Sequence, residues 1–476
     1  MTIVTIVGTS GTAIQVTVGG GKAQTLAQTY AQQMSDAYKR NDLKTVLVTD
    51  STARTITTGN TLLEGFVTTG GSFAPLGTYD FIGVGGWAGS GIQSGETLLN
   101  ERVTIDGSGV TPTTTLSVLG GSTAGLTYEA GSGNGSFLGL SGDNYFNGNT
   151  QSASWTILTG DGNDTILATN GINTIDAGTG RNVIQLQQGT NYVASEGQDT
   201  ITGQEGGRTV LTLTGGNALV TLGSNSYVSD EATIGSHITI GDDSTVQAGQ
   251  GSTIVFSGKN GTISGVHNDT VSALGNLTAL SGSAQTLSVN GALQFIAGTG
   301  ATRITADQAT LWGADGLSAN IDVNKASLWT GNQSGSSSAE MINASSSKGS
   351  FEAWTGAGQQ TIIGSEASDH FVFGTRYSGN EGETYVTVTG GNVAANTFGV
   401  LAGHTAGDVT ITDFSAVSGN KFFMYNYKPA DAEAAAKELL ATATVSGGNT
   451  AIMLDNNMKV TFMGVTDLKA SSFDIS

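Results

Sequence analysis

Residues 159–229 read TGDGNDTIL, ATNGINTID, AGTGRNVIQ, LQQGTNYVA, SEGQDTIT, GQEGGRTVL, TLTGGNALV and TLGSNSYVS when written in nines, with one unit a residue short. Allowing for the short unit, the fourth place carries Gly162, Gly171, Gly180, Gly189, Gly197, Gly206 and Gly215, then Ser224. A turn that needs a positive φ in every unit would demand this. The eighth place carries Ile166, Ile175, Ile184, Val193, Ile201, Val210, Leu219 and Val228, which gives one inward aliphatic per short strand. A unit of nine cannot bury its own apolar face, so successive coils must stack. The stretch therefore predicts a parallel β-solenoid with a continuous aliphatic core.

These glycines and aliphatics resemble the G-G-x-G-x-D-x-U-x nonapeptide of the RTX, or haemolysin-type, family, and Gly160, Gly162, Asp164 and Ile166 form a near match. The resemblance implies a β-roll with two nonads per coil and Ca²⁺ in the turns between coils. The sixth place, the calcium-binding Asp of that family, runs Asp164, Asn173, Asn182, Asn191, Asp199, Arg208, Asn217, Ser226 here. Carboxylates stacked about 4.8 Å apart repel one another without a cation, whereas stacked amides can hydrogen-bond along the axis. Asn173, Asn182, Asn191 and Asn217 are thus expected to form an amide ladder in place of most calcium turns.

Asp161, Asp164 and Asp199 read either as residual ligands of Ca²⁺, which takes about six to eight oxygens, or as caps of solvated turns. Asp242 with Asp243, and Glu381 with Glu383, are adjacent acids that could bind a cation or serve carboxylate chemistry, though a solvated acidic loop accounts for them as well. Weaker echoes of the repeat occur at SVNGALQFI and AGTGATRIT (288–305) and at TGAGQQTII and GSEASDHFV (355–372), where Asp369 takes the sixth place and joins the candidate Ca²⁺ ligands. Between them, residues 234–263 alternate Ile, Val and Thr with small residues at irregular spacing, so the coil length is expected to drift. Trp155 stands at a sixth place and is expected to face outward.

Two helices interrupt this pattern. Leu26, Tyr30, Ala37 and Leu43 fall at near-helical spacing in the Gly- and Pro-free segment from Lys22 to Lys44. The second is PADAEAAAKELLATA, with Pro429 at its start. The last seventy or so residues resemble the C-terminal domain of type I secreted proteins: a strand at Ile452–Leu454, a turn at Asp455–Asn457, a strand at Val460–Phe462, then Gly464, Leu468 and a final Phe473. An ordinary β-cap closing the solenoid reads the same letters. The expected organisation is an α+β cap over residues 1–75, a Gly-rich solenoid over 76–375 and a β-rich secretion and capping domain over 376–476.

Glycine supplies 72 of 476 residues, about twice its ordinary share, while Pro supplies 3 and Cys none. Disulfides and thiol chemistry are excluded. With 38 acidic against 18 basic residues, the net charge of -20 repels nucleic acid and attracts divalent cations. No run of 18 apolar residues exists, and the N-terminus lacks the basic and apolar regions of a Sec or Tat signal. GGGKA around Lys22 lacks the spacing of a phosphate loop, and neither H-E-x-x-H nor G-x-S-x-G occurs, which excludes the zinc-protease and lipase passengers of RTX proteins. His237, His267, His370 and His404 are scattered, with no two at ligand spacing.

The expected function is that of a secreted structural or adhesive protein exported by type I machinery. It would self-assemble on or outside a bacterial cell as an S-layer, filament or biofilm matrix, with itself and cell-surface polysaccharide as partners. The alternative is a polysaccharide-active β-helix enzyme that uses a carboxylate pair.

Overall fold

The computed structural model describes residues 2–18, 21–54, 61–87, 99–112, 114–139, 141–332, 339–374, 382–403, 406–454 and 457–476. The chain is mainly β, a parallel β-solenoid with two short helices, and divides into Met1–Ser252 and Thr253–Ser476. Each is described by itself.

In the first unit, strands pair in parallel with the next-but-one strand, so two strands make a coil. On one face Phe146, Ile166, Ile184, Ile201, Val220 and Ile238 stack inward, all with 0 % exposure. The opposite wall stacks Ile157, Ile175, Val193, Leu211, Val228 and Val246. Side chains alternate across a strand, so this inner file alone excludes water and drives the stacking.

The eighth-place rule fails at two positions. Val210 points outward and Leu219 is 48 % exposed, while Leu211 and Val220 take the core. The cause is the double glycine of units 203–211 and 212–220. At the first, Gly206 has φ +86° and Gly207 N–H turns back to the Gln204 carbonyl, so the strand Arg208–Leu213 enters a residue late. A slip of one residue reverses every side chain, and Thr209 and Ala218 take the inward corner places while the sixth-place Arg208 and Asn217 are exposed. The phase returns at Ser226 and Val228, both buried.

The fourth-place glycines are explained differently from the sequence reading. Gly162, Gly180 and Gly206 have positive φ, but the other four do not. All of them except Gly206 share close stacking of turns: a Cβ on Gly189 would lie 2.0 Å from the Gly171 carbonyl oxygen.

The N-terminal segment does more than close an end. Strands β1 (Thr2–Val7) and β2 (Ala13–Val18) form an antiparallel hairpin, and helix α1 (Lys22–Lys39) packs Ala27, Tyr30, Met34 and Ala37 with it. Together they cover Leu119, Leu138 and Leu158, one leucine from each of three successive coils. The Tyr30 ring meets Phe81 edge-on at 5.0 Å and its hydroxyl donates to the Ser117 carbonyl. The helix ends at Lys39, earlier than expected, because Leu43 belongs to β3 (Leu43–Leu47), which pairs in parallel with Leu62–Val67. Thr9 and Thr45 exchange hydrogen bonds between backbone N–H and side-chain hydroxyl over β3.

The second unit keeps the parallel register with coils of changing length: steps of 16 and 17 residues between Thr253 and Thr299 give way to steps of 18, 27 and 24 between Glu352 and Lys421, around an aromatic core. Ala353, Phe371, Phe398, Phe422 and Phe473 stack inward, and the Phe371 and Phe398 rings lie parallel at 5.1 Å. Residues 286–330 form one continuous run of paired strand, with Ala297, Gly300 and Gly316 at positive φ within it. At the C-terminus the hairpin Thr444–Ser446 with Asn449–Met453 pairs antiparallel to Met458–Phe462. Helix α2 (Ala432–Ala441) packs on Phe473–Ile475, and its cap is Asp431, whose carboxylate accepts from Ala434 N–H at 3.0 Å. Pro429 therefore precedes the helix instead of opening it. Of the turn expected at 455–457, Asp455 and Asn456 lie outside the described residues, as do Glu381 and His404.

Candidate functional site

The sixth-place side chains from Asp164 to Asp199 do not face the turns. Asp164, Asn182 and Asp199 are each 1 % exposed, and Asn173 and Asn191 are 0 % exposed, on the inner wall at the coil corners. At a corner the backbone carbonyl still joins the sheet: Val183 N–H donates to Asp164 O and Thr200 N–H to Asn182 O. The N–H of the corner residue has no such partner, and burying it unpaired would cost about 1–3 kcal/mol.

The side chain of the next coil fills that need. Leu126 N–H donates to Asn144 Oδ1 (3.0 Å), Asn144 N–H to Asp164 Oδ1 (2.7 Å), Asp164 N–H to Asn182 Oδ1 (2.8 Å) and Asn182 N–H to Asp199 Oδ1 (2.8 Å). The ladder is thus mostly side chain to backbone, and it asks for an acceptor, neutral or charged. An amide-to-amide rung occurs at Asn173 Nδ2 to Asn191 Oδ1 (2.9 Å). Serine takes the part further on, where Ser226 N–H donates to Ser244 Oγ and Ser236 N–H to Ser252 Oγ. Asn217, expected in the ladder, is an exposed turn residue with φ +60°.

The second unit repeats the device. Phe351 N–H donates to Asp369 Oδ1 (2.8 Å), Asp369 N–H to Asn396 Oδ1 (2.8 Å) and Asn396 N–H to Asn420 Oδ1 (2.7 Å). Sequence reading found Asp369 but missed Asn144, Asn396 and Asn420. Each stands two residues before an inward aromatic, in Asn144-x-Phe146, Asn396-x-Phe398 and Asn420-x-Phe422, and that spacing, independent of coil length, is the signal that would have found them.

Asn and Asp solve the corner differently. The amides also donate: Asn182 Nδ2 to Ala177 O, Asn396 Nδ2 to Gly390 O and Asn420 Nδ2 to Phe414 O. A carboxylate needs donors in place of carbonyls. Asp199 receives the Ser195 hydroxyl (2.6 Å), and Asp369 receives the Ser365 hydroxyl (2.5 Å) and N–H (2.6 Å). Asp164 has Gly160 where the others have serine, and its Oδ2 is buried without a hydrogen-bond partner. Burial pushes Asp164 and Asp369 up to about 6 and raises Asp199 as well.

This donor set does not fit Ca²⁺. Asp164 and Asp199 are two coils apart, roughly 10 Å, on an inner wall where backbone N–H groups already address them. Asp161 lies at an exposed turn and accepts the Thr179 hydroxyl (2.9 Å), while Asp242 and Asp243 occupy another turn, where Asp243 has φ +51°. Among the described residues no three His, Asp or Glu side chains gather in ligating geometry.

Trp155, expected outside, is 2 % exposed and packs against Tyr128 and Phe146. Glu64, which sequence reading passed over, is buried beneath the N-terminal cap with the Thr45 hydroxyl donating to Oε2, and burial pushes it up to about 8. His237 and His267 are exposed and His370 is half-buried.

Two outward files are uncharged over several coils, with Asp176 and Arg208 pointing outward beside the first. One file runs Thr156, Thr174, Tyr192, Val210, Tyr227, Thr245, and the opposite face carries Thr165, Val183, Thr200, Leu219, His237. No described helix is long and apolar enough to cross a membrane. The sequence matches no protein-family pattern and no curated protein.

Proposed function

We propose that this chain is a secreted structural protein of bacterial surfaces, exported by a type I route that reads its C-terminal domain, whose copies pack side by side through their outer solenoid faces. The observation that carries the reading is the straight uncharged file Thr156 to Thr245, which presents Tyr192 at 44 % and Tyr227 at 38 % exposure with a half-buried Val210 between them. Such a file is a flat repeating strip able to match itself in a second copy.

Growth by adding strands is the weaker route. The cap over β3 covers one first strand of the first unit, and the C-terminal hairpin with α2 covers last strands of the second, so the faces are taken as the surface for association. A net charge of -20 opposes close approach, so divalent cations are assigned to the space between molecules as counter-ions. Electron microscopy and sedimentation of the purified protein should show ordered assemblies that grow on adding Ca²⁺. Dispersed monomers with and without Ca²⁺ would refute the proposal.

A further inference from the structure

One outer face of the second unit departs from the uncharged pattern. On the strands Ser350–Trp354, His370–Phe373, Thr397–Leu401 and Lys421–Tyr425, the register stacks Glu352, His370, Thr397 and Lys421 in one outward file. The neighbouring file is Trp354, Val372, Gly399 and Phe423, with Tyr425 beside it. A row of hydrogen-bonding groups, repeating about every 4.8 Å from coil to coil, therefore runs parallel to a file that carries a ring at each end, Trp354 and the buried Phe423, three coils apart.

These side chains are fixed. The Trp354 indole N–H donates to Glu352 Oε1 at 2.5 Å, and His370 Nδ1 lies 2.6 Å from the Thr397 hydroxyl. The His370 ring stacks flat on Phe423 at 4.7 Å with an 11° tilt, and Phe423 packs on Tyr425 at 4.5 Å. Gly399 makes this possible, since a Cβ there would come within 2.5 Å of the Phe423 ring. Lys421 Nζ is held by the Ser471 carbonyl. Glu352, Lys421 and Tyr425 are exposed, and Trp354, His370 and Thr397 are half-buried. Burial holds the imidazole below its usual range.

We propose that this face binds an uncharged polysaccharide, with sugar rings lying on Trp354 and Tyr425 and rim hydroxyls meeting Glu352, His370 Nε2 and Lys421. Aromatic faces supply apolar contact at low entropic cost, and a few fixed polar groups supply orientation. Glu352 and Lys421 offset each other locally, and the net charge of -20 works against an acidic polymer. This site goes beyond the assembly proposed above. It is tested on dispersed protein, so failure of one leaves the other standing.

The test is affinity electrophoresis of monomeric protein through gels containing dextran, hydroxyethyl cellulose, xyloglucan or galactomannan, with alginate as the acidic comparator. Retardation by at least one neutral polymer is expected. Trp354→Ala and Tyr425→Ala should weaken it up to about tenfold, while Trp354→Phe, which keeps a ring, and Thr387→Ala, on another face, should leave it nearly unchanged. Circular dichroism of each variant checks the fold. No retardation by any neutral polymer, equal retardation of a folded Trp354→Ala variant, or stronger retardation by alginate would overturn the proposal.

Discussion

The ladders of the two units share a rung but not a coil. In the first unit consecutive rungs are 20, 18 and 17 residues apart, and aliphatic side chains fill the space between the walls. In the second they are 18, 27 and 24 residues apart, around phenylalanines. What stays constant is an inward acceptor two residues before an inward apolar side chain. The corner N–H must be paired wherever a coil turns, while the length of chain leading to the corner costs only a slowly rising closure entropy.

The comparison is broken most directly at its richest rung. Asp369→Ala removes the acceptor for the N–H groups of Phe351 and Ser365 and for the Ser365 hydroxyl. Two buried N–H groups left unpaired should lower stability by about 4 kcal/mol in chemical denaturation. A loss below about 1 kcal/mol would mean that the ladder does not hold the coils.

Coil length gives the next largest effect, and it should differ between the two regions. Two residues inserted after Gly189 would separate turns that touch, disturbing Thr190 N–H to Gly171 O and Arg208 N–H to Gly189 O, at about 2 kcal/mol. The same insertion after Asn392, beside the exposed Val393, should cost under about 1 kcal/mol. Equal losses at the two sites, read from melting temperatures, would show that coil length is constrained alike in both.

The solenoid was legible in the sequence because glycine and aliphatic recur together through residues 159–202, and the eighth place there does face inward, while the sixth place, expected at the turns, faces inward too. The same places hold in the later echoes, where Gln360, Ile362, Asp369 and Phe371 are all buried. A fixed count of nine could not follow the slip at Gly206–Gly207, which turned Val210 and Leu219 outward, nor the 27-residue step from Asp369 to Asn396. The chemistry of the rung was hidden for another reason. Asn and Asp stand at one place in the repeat, and nothing in the letters says whether that place faces water, an ion or a backbone N–H. The outer platform at His370 was invisible because its members come from four coils of unequal length.

The finest distinction is between the aspartates themselves. Asp164 has no serine to address it, and its folded pKa of about 6 lies above the ordinary 3.8. A raised carboxyl contributes stability that is fully present below about pH 4 and is lost as pH rises through about 6. Protonated, Asp164 behaves as Asn182 does, accepting from the coil before it and able to donate toward the Thr159 carbonyl, the counterpart of Ala177. Asp164→Asn should therefore raise stability by about 2 kcal/mol at pH 8 and change little at pH 4. Asp199→Asn should not, because its new amide would face the Ser195 hydroxyl that now donates to it, and a loss of about 1 kcal/mol at pH 8 is expected. Melting temperatures of the two variants across pH 4 to 8 decide the matter, since the same pH-dependent gain in both would mean that burial alone, and not the residue four places earlier, sets what a corner carboxyl needs.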